Sequence, residues 1–270
     1  MHIICIIELL CLMNPEESIA NFEKSIVEVY KQYNLTSLRG LDHSFMVNGR
    51  QILEWHLKVI SEGKNIYGSN FDFQKNFDDL IFCSDEILYF IGNMYLYRPF
   101  MNNPLKEGVR HGDHIVYPYN QNKEAKRYSM FGGVVSEKIY NYWDRVGDLL
   151  AAYFPGLLEA HQVFFPKVIE LIPEEYHGNE NYLWLKSFKE NEYVELNKKR
   201  KQFVHYTTMD TEIMYEHLKN PTDKKKVDKL VQKRDAQVDF YKTHIDLTLK
   251  GHENLILLIK DITERTIPLK

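Results

Sequence analysis

The sequence predicts a mainly α-helical protein, an all-α bundle preceded by a mostly helical N-terminal extension. Three observations carry that prediction. Apolar residues recur at helical spacing, most closely at Ile139, Tyr142, Trp143, Val146, Leu149, Leu150 and Tyr153. Asn, Ser, Thr or Asp precedes several such runs, and Pro or Gly follows them, as helix starts and stops require. From about residue 128 onward the joins between helical runs are short, the pattern of a bundle.

The elements follow in order. The opening MHIICIIELLCLM is too short to span a bilayer. It contains Glu8, lacks a basic leading segment and has no small-residue cleavage site after it. It reads as a buried strand or helix, or as a product of the assigned start. Asn14, Pro15, Glu16 and Glu17 mark a helix start, with a cap, a proline at the first position and acids at the positive end of the dipole. Ile19, Phe22, Ile26, Val29 and Tyr30 give that helix its apolar face, and it ends near Tyr33 and Asn34. Asn48-Gly49 suits a hairpin or a helix start. The spacing of Ile52, Leu53, Leu57 and Ile60 favours a helix ending at Gly63. Residues 66–77 read as mostly loop. Residues 78–100 read as a helix broken near Ser84, although their Ile, Tyr and Phe content would also suit strands.

Residues 101–127 hold Pro, Gly and Asn without a period and form the expected linker or long loop. They divide an N-terminal helical region, 1–100, from a helical bundle, 128–270. Ser136 is the expected cap of the strongest helix, which Pro155-Gly156 stops. A short segment at 157–171 is interrupted by Pro166, and another helix covers 179–189. A basic helix runs from near Asn191 to about Thr208, and a short one covers 211–218. Thr222-Asp223 caps a long charged helix to about Leu249. Gly251 breaks it, and 255–262 form a last apolar helix.

A formal charge of −4 gives no global attraction to nucleic acid, so any such contact needs a local basic patch. Three cysteines without Cys-x-x-Cys spacing suggest neither a disulfide framework nor a zinc site, which fits a reducing cytoplasm. His111, Asp113 and His114, in RHGDH, have metal-binding chemistry, but no fourth ligand stands nearby. Neither a metal nor another cofactor is expected. The absence of a Gly-rich phosphate loop, of Gly-x-Ser-x-Gly and of His-Glu-x-x-His argues against a nucleotide hydrolase, an esterase and a zinc protease.

The local basic patch is the helix ELNKKRKQFVHYTT, residues 195–208. Arg200 carries a permanent planar charge that fits phosphate oxygens. His205 can move a proton near neutral pH. Together they have the chemistry for RNA cleavage without a metal. A second pair at this spacing, Arg50 and His56, lies in an apolar run beside Trp55 and reads as structural. Chance gives about one such pair at this composition and there are two, so the count decides nothing and context must.

The opening helix YNYWDRVGDLL and the later helix NKKRKQFVHY together resemble the HEPN superfamily, over about residues 128–265. That resemblance implies a bundle of four or five helices, commonly a homodimer paired through the helix that carries an Arg-x4-6-His motif. Many members are metal-independent endoribonucleases. Carried over, Arg200 and His205 become the catalytic pair, with Lys201, Asn197 and Tyr206 as substrate-binding neighbours and RNA as substrate. A toxin or phage-defence role, with an antitoxin protein as partner, is also implied. No membrane partner is expected. The chain departs from catalytic members at Lys201, where they carry a small polar residue, often Asn. That departure keeps a second reading open: an inactive dimerisation or nucleic-acid-binding module of the same fold.

Overall fold

The computed structural model describes residues 14–39, 46–47, 50–51, 72–154, 157–205 and 209–266. Within them the chain is a helical bundle with two short hairpins. The apolar element expected at 1–13, most of the helix expected at 50–63 (His56 included) and the first part of the loop expected at 66–77 lie outside the described residues.

Helix α1 (Pro15–Gln32) starts at the expected cap, where Asn14 Oδ1 accepts the Glu16 N–H at 3.2 Å. It ends where Asn34 takes a φ of 51°, a conformation Asn tolerates better than most residues. Strand β1 (Met46–Val47) pairs antiparallel with β2 (Arg50–Gln51), so the hairpin alternative holds there instead of a helix start.

Helix α2 (Phe73–Tyr97) runs unbroken through Ser84. The expected break fails because Ser84 is satisfied within the fold. Its hydroxyl donates to the Ile81 carbonyl at 2.8 Å and accepts the Leu38 N–H at 3.1 Å, anchoring the loop after α1.

Between α2 and the next helix lies a loop with its own structure. Strands β3 (Val109–His111) and β4 (His114–Val116) pair His111 with His114 across a turn in which Gly112 has a φ of 59°. Asparagines staple its ends. Asn102 donates to the Asn120 carbonyl at 3.0 Å, and Asn122 donates to the Phe100 carbonyl at 2.7 Å. His217 Nε2 lies 2.8 Å from the Tyr117 carbonyl, and the Tyr117 N–H donates to Pro221 at 2.8 Å, so the loop is also tied to the C-terminal half.

Helix α3 (Lys123–Ala152) is capped by Asn122, which accepts the Ala125 N–H at 2.9 Å. It therefore begins well before Ser136, which lies buried inside it. The buried side chains of Ala125, Tyr128 and Val135 extend the stripe seen from Ile139 onward, and burying that longer stripe favours the longer helix. Helix α4 (Phe165–Leu171) starts with Pro166 in its first turn, where a proline fits, so Pro166 opens this helix and does not interrupt it. Helix α5 (Glu180–Glu190) is capped by Asn179, whose Oδ1 accepts the Asn181 N–H at 2.8 Å. Helix α6 (Glu192–His205) carries the basic run, and α7 (Met209–Lys219) follows it.

The expected helix from 222 to 249 is two helices, α8 (Lys224–Asp235) and α9 (Gln237–Thr266). The buried Tyr128 hydroxyl holds their joint, donating to the Arg234 carbonyl at 3.0 Å and accepting the Val238 N–H at 3.1 Å. Gly251 does not break α9. A Cβ there would come within 2.2 Å of Trp143 Cη2, so the glycine is where the indole of α3 meets the α9 backbone.

Helix α3 is central, packing against α2, α4, α6 and α9. The Trp143 ring stacks on Phe188 of α5 with centroids 4.0 Å apart and tilts against Phe165 of α4 at 4.8 Å. Residues from Ile26 to Ile262 share one hydrophobic core. Among the described residues, no helix is long and apolar enough to cross a membrane.

Candidate functional site

Helix α6 follows a sharp corner at Asn191 and packs on α3 through Tyr193 and Leu196, both buried. Arg200 stands four residues after Leu196 and seven after Tyr193. The next position of this buried stripe is thus a permanent cation. Its guanidinium lies over the ring of Tyr140 on α3, with Cζ 3.8 Å from the centroid. Arg200 Nε is buried and has no hydrogen-bond partner among the described residues.

One turn along α3 from Tyr140 is Asp144. Burial, and then the Asp148 carboxylate, push its carboxyl up to about 6, against the pull of Arg200 and Arg145. Asp144 Oδ1 is also buried without a partner. The Tyr193 ring lies 6.1 Å from Tyr140, and its phenol is raised by burial first and then by Tyr140 and Asp144. Asp148 is drawn towards Arg145, which also pairs with Asp79 at 3.4 Å.

The seam between α3 and α6 is therefore polar, and it brings a cation and a carboxyl together. A stacked cation of this kind contributes about 0.5–2 kcal/mol. Leaving a buried N–H without a partner costs about 1–3 kcal/mol. On those magnitudes Arg200 adds little or nothing to stability. What the arrangement does provide is a guanidinium held over a ring and in no ion pair with a carboxylate among the described residues, so it has N–H groups free to donate to phosphate oxygens.

The basic run of α6 divides among three surroundings. Arg200 faces Tyr140. Lys199 turns to α9, with Nζ 3.2 Å from the centroid of Phe240. Burial pulls the Lys199 ammonium down to about 8, opposed by Glu195 and aided by Lys233. Lys198 and Lys201 line an open groove of about 580 Å³, together with Pro166, Lys189, Tyr193, Val194, Asn197 and Gln202. Lys189 is paired with Glu170 at 2.7 Å, and Gln202 donates to Glu212.

Of the residues expected from sequence, Asn197 and Lys201 thus share the groove, while Arg200 faces away from it into the α3 seam. His205 is the last residue of α6; its side chain, and all of Tyr206, lie outside the described residues. Around the helix axis position 205 is about 140° from position 200 and within about 40° of position 201.

The sequence reading missed Tyr140 and Asp144. The signal for them was Arg200 itself: an arginine on the Tyr193 and Leu196 stripe needs an aromatic face or an acid opposite it. It also missed His244, which is buried one turn after Phe240 with its ring 4.4 Å away and Nδ1 unpaired. Burial first, and the Lys199 charge second, push His244 down to about 4. His111, Asp113 and His114 lie on the exposed β3–β4 hairpin. Among the described residues, no three or more His, Cys, Asp or Glu are grouped as a metal would require.

Residues 112–260 match the family model described as HEPN_Cthe2314-like HEPN. None of the curated proteins and none of the solved structures matches the chain. The matched stretch runs from the β3–β4 turn through most of α9 and contains α3 and α6 whole.

Proposed function

The chain belongs to the HEPN family, and we propose that it is a metal-independent endoribonuclease acting as a homodimer, with Arg200 and His205 as its catalytic pair. The observation that carries this reading is the seat of Arg200. A guanidinium stacked on Tyr140, with a buried N–H unpartnered, is poorly explained by stability and well suited to meeting an anion.

In the proposed reaction the 2′-oxygen of one nucleotide attacks the neighbouring phosphorus. The 2′-O–P bond forms and the P–O5′ bond breaks, leaving a 2′,3′-cyclic phosphate and a free 5′-hydroxyl. His205 takes the proton of the 2′-hydroxyl or returns one to the leaving 5′-oxygen. Arg200 stabilises the charge that gathers on the phosphorane oxygens. Positions 200 and 205 diverge by about 140° around one helix, which aims them poorly at one phosphate. Pairing two copies of α6 about a two-fold axis supplies the missing convergence, because each protomer brings the same patch to the contact. In a toxin or phage-defence setting, the partner this reading calls for is an antitoxin protein that covers the pair.

A second reading, a binding module without catalysis, is favoured by one observation. Lys201 and Asn197, the residues nearest in sequence that would orient Arg200, both line the groove and not the Arg200 seat.

The test is incubation of labelled single-stranded RNA in EDTA with the wild type, Arg200→Ala and His205→Ala. Cleavage by the wild type alone, leaving 2′,3′-cyclic phosphate ends, is the expected result. Equal cleavage by all three would assign the activity to a contaminant, and RNA bound but uncut by the wild type would favour the binding module.

A further inference from the structure

The groove on the outer side of α6 is built differently from the Arg200 seat. Pro166, Tyr193 and Val194 give it an apolar lining, and Val194 is 55% exposed. Asn197 stands at its edge, half-buried, with its side-chain amide in no hydrogen bond among the described residues. Lys198 and Lys201 stand exposed beside it, and neither is in an ion pair among the described residues. Among the described residues, no carboxylate lines the groove. A ligand matched to these features has a flat apolar part, a polar edge and a negative backbone. Its volume is that of a small-molecule site and exceeds what one base needs.

We infer that this groove holds one unstacked nucleotide of single-stranded RNA, its base on Pro166 and Val194, its edge at Asn197 and its phosphates at Lys198 and Lys201. The inference rests on RNA being the substrate and adds where and how the strand is held. Single strands are recognised in this way, by bases splayed onto apolar or aromatic surfaces while cations follow the backbone. A free amide at the edge is a donor and an acceptor at once, so it can discriminate between bases. A duplex presents no free base to such a lining, so the groove selects unpaired RNA. The groove shares a helix with Arg200 but opens on its other side, so a strand seated here would run past the end of α6 to reach the catalytic pair.

Fluorescence anisotropy with labelled 2′-O-methyl hexamers tests this without cleavage, because those strands lack the attacking hydroxyl. Wild-type protein should bind base-bearing hexamers about tenfold more tightly than an abasic hexamer of equal charge, the range of one base stack. Val194→Glu, at an exposed position, should remove most of that advantage. Asn197→Ala should flatten the preference among the four bases. Lys198→Ala and Lys201→Ala should weaken all sequences alike and flatten the logarithmic salt dependence by about 0.7 for each lysine. The inference is overturned if the wild type binds no hexamer, if the abasic strand binds as well, or if the groove variants behave as wild type. It is overturned too if polyglutamate displaces the hexamer as effectively as RNA does, which would make the groove a site for an acidic protein. Failure here with cleavage intact removes only the groove. Binding intact with no cleavage removes only the ribonuclease reading.

Discussion

Trp143 and Asp144 are neighbours on α3, and they face two opposite kinds of packing. Trp143 is fully buried between Phe165, Phe188 and the bare backbone of Gly251. Asp144, about 100° further round the helix, faces α6, where its own Oδ1 and Arg200 Nε are both buried without partners. The first side is filled with ring contact, although the Trp143 Nε1 N–H is itself buried without a partner among the described residues. The second holds a cation and a carboxylate in a place where apolar side chains would pack at lower cost. Helix α3 thus has two unlike sides: its α5 and α9 side is packed with rings, and its α6 side holds the Asp144 carboxyl and the Arg200 guanidinium.

The largest effect expected from this contrast is on the packed side. Gly251→Ala places a Cβ 2.2 Å from Trp143 Cη2, and the indole is fixed by rings on two other helices. Overpacking of this kind should cost about 3 kcal/mol, well above the roughly 1 kcal/mol that alanine gains over glycine in a helix. Urea unfolding reads the difference. A midpoint at or above the wild type's would mean that the Trp143 seat is loose and the contrast false.

On the other side the expected effect is on activity and not on stability. Arg200→Leu continues the stripe of Tyr193 and Leu196 with an apolar side chain. It loses the contact with Tyr140 but also the unpartnered N–H, so its stability should stay within about 1 kcal/mol of wild type. RNA cleavage should fall at least about 100-fold, the usual loss when one charge-stabilising donor is removed. A loss of about 3 kcal/mol in stability would instead make Arg200 a structural residue, like Trp143.

How far the sequence revealed this contrast follows from what each side depends on. Local chemistry was legible: Asn14, Asn179 and Asp223 cap helices where the residue pattern places them. Ser84, Ser136 and Gly251 misled because each looks like a local start or stop, whereas Ser84 binds the distant Leu38 N–H, Gly251 meets the Trp143 ring, and Ser136 lies buried inside a helix that starts earlier. The resemblance carried by YNYWDRVGDLL and NKKRKQFVHY led to the right family. What neither periodicity nor resemblance could supply was the division of the basic helix. Lys199 rests on Phe240, Arg200 on Tyr140, and Lys198 and Lys201 on the groove. Each of these placements depends on an element far away in the chain.

The smallest effect is a difference in how the two sides of α3 respond to pH. Behind Trp143, His252 is wholly buried, with Nδ1 3.3 Å from the Tyr142 hydroxyl, and burial pushes it down to about 3. The unfolded chain protonates that imidazole near its ordinary value, so between about 3 and 6.5 the unfolded state binds more protons. Stability on this side is lost as pH falls through that window. Asp144 behaves in the opposite sense. Its folded value, about 6, lies above the ordinary aspartate value, so between the two the folded state binds more protons. Stability from this group is greatest at low pH and declines as pH rises towards 6; above that, the folded protein carries a charge it accommodates poorly. Asp144→Asn removes that charge. Because solvent reaches part of the carboxyl, the expected gain at pH 7.5 is discounted to about 1 kcal/mol, falling towards zero near pH 4. Urea midpoints of the two proteins at both pH values give the comparison. A loss of stability at pH 7.5 would show that the Arg200 attraction outweighs the burial of Asp144, and that the α6 side of α3 is held by its charges.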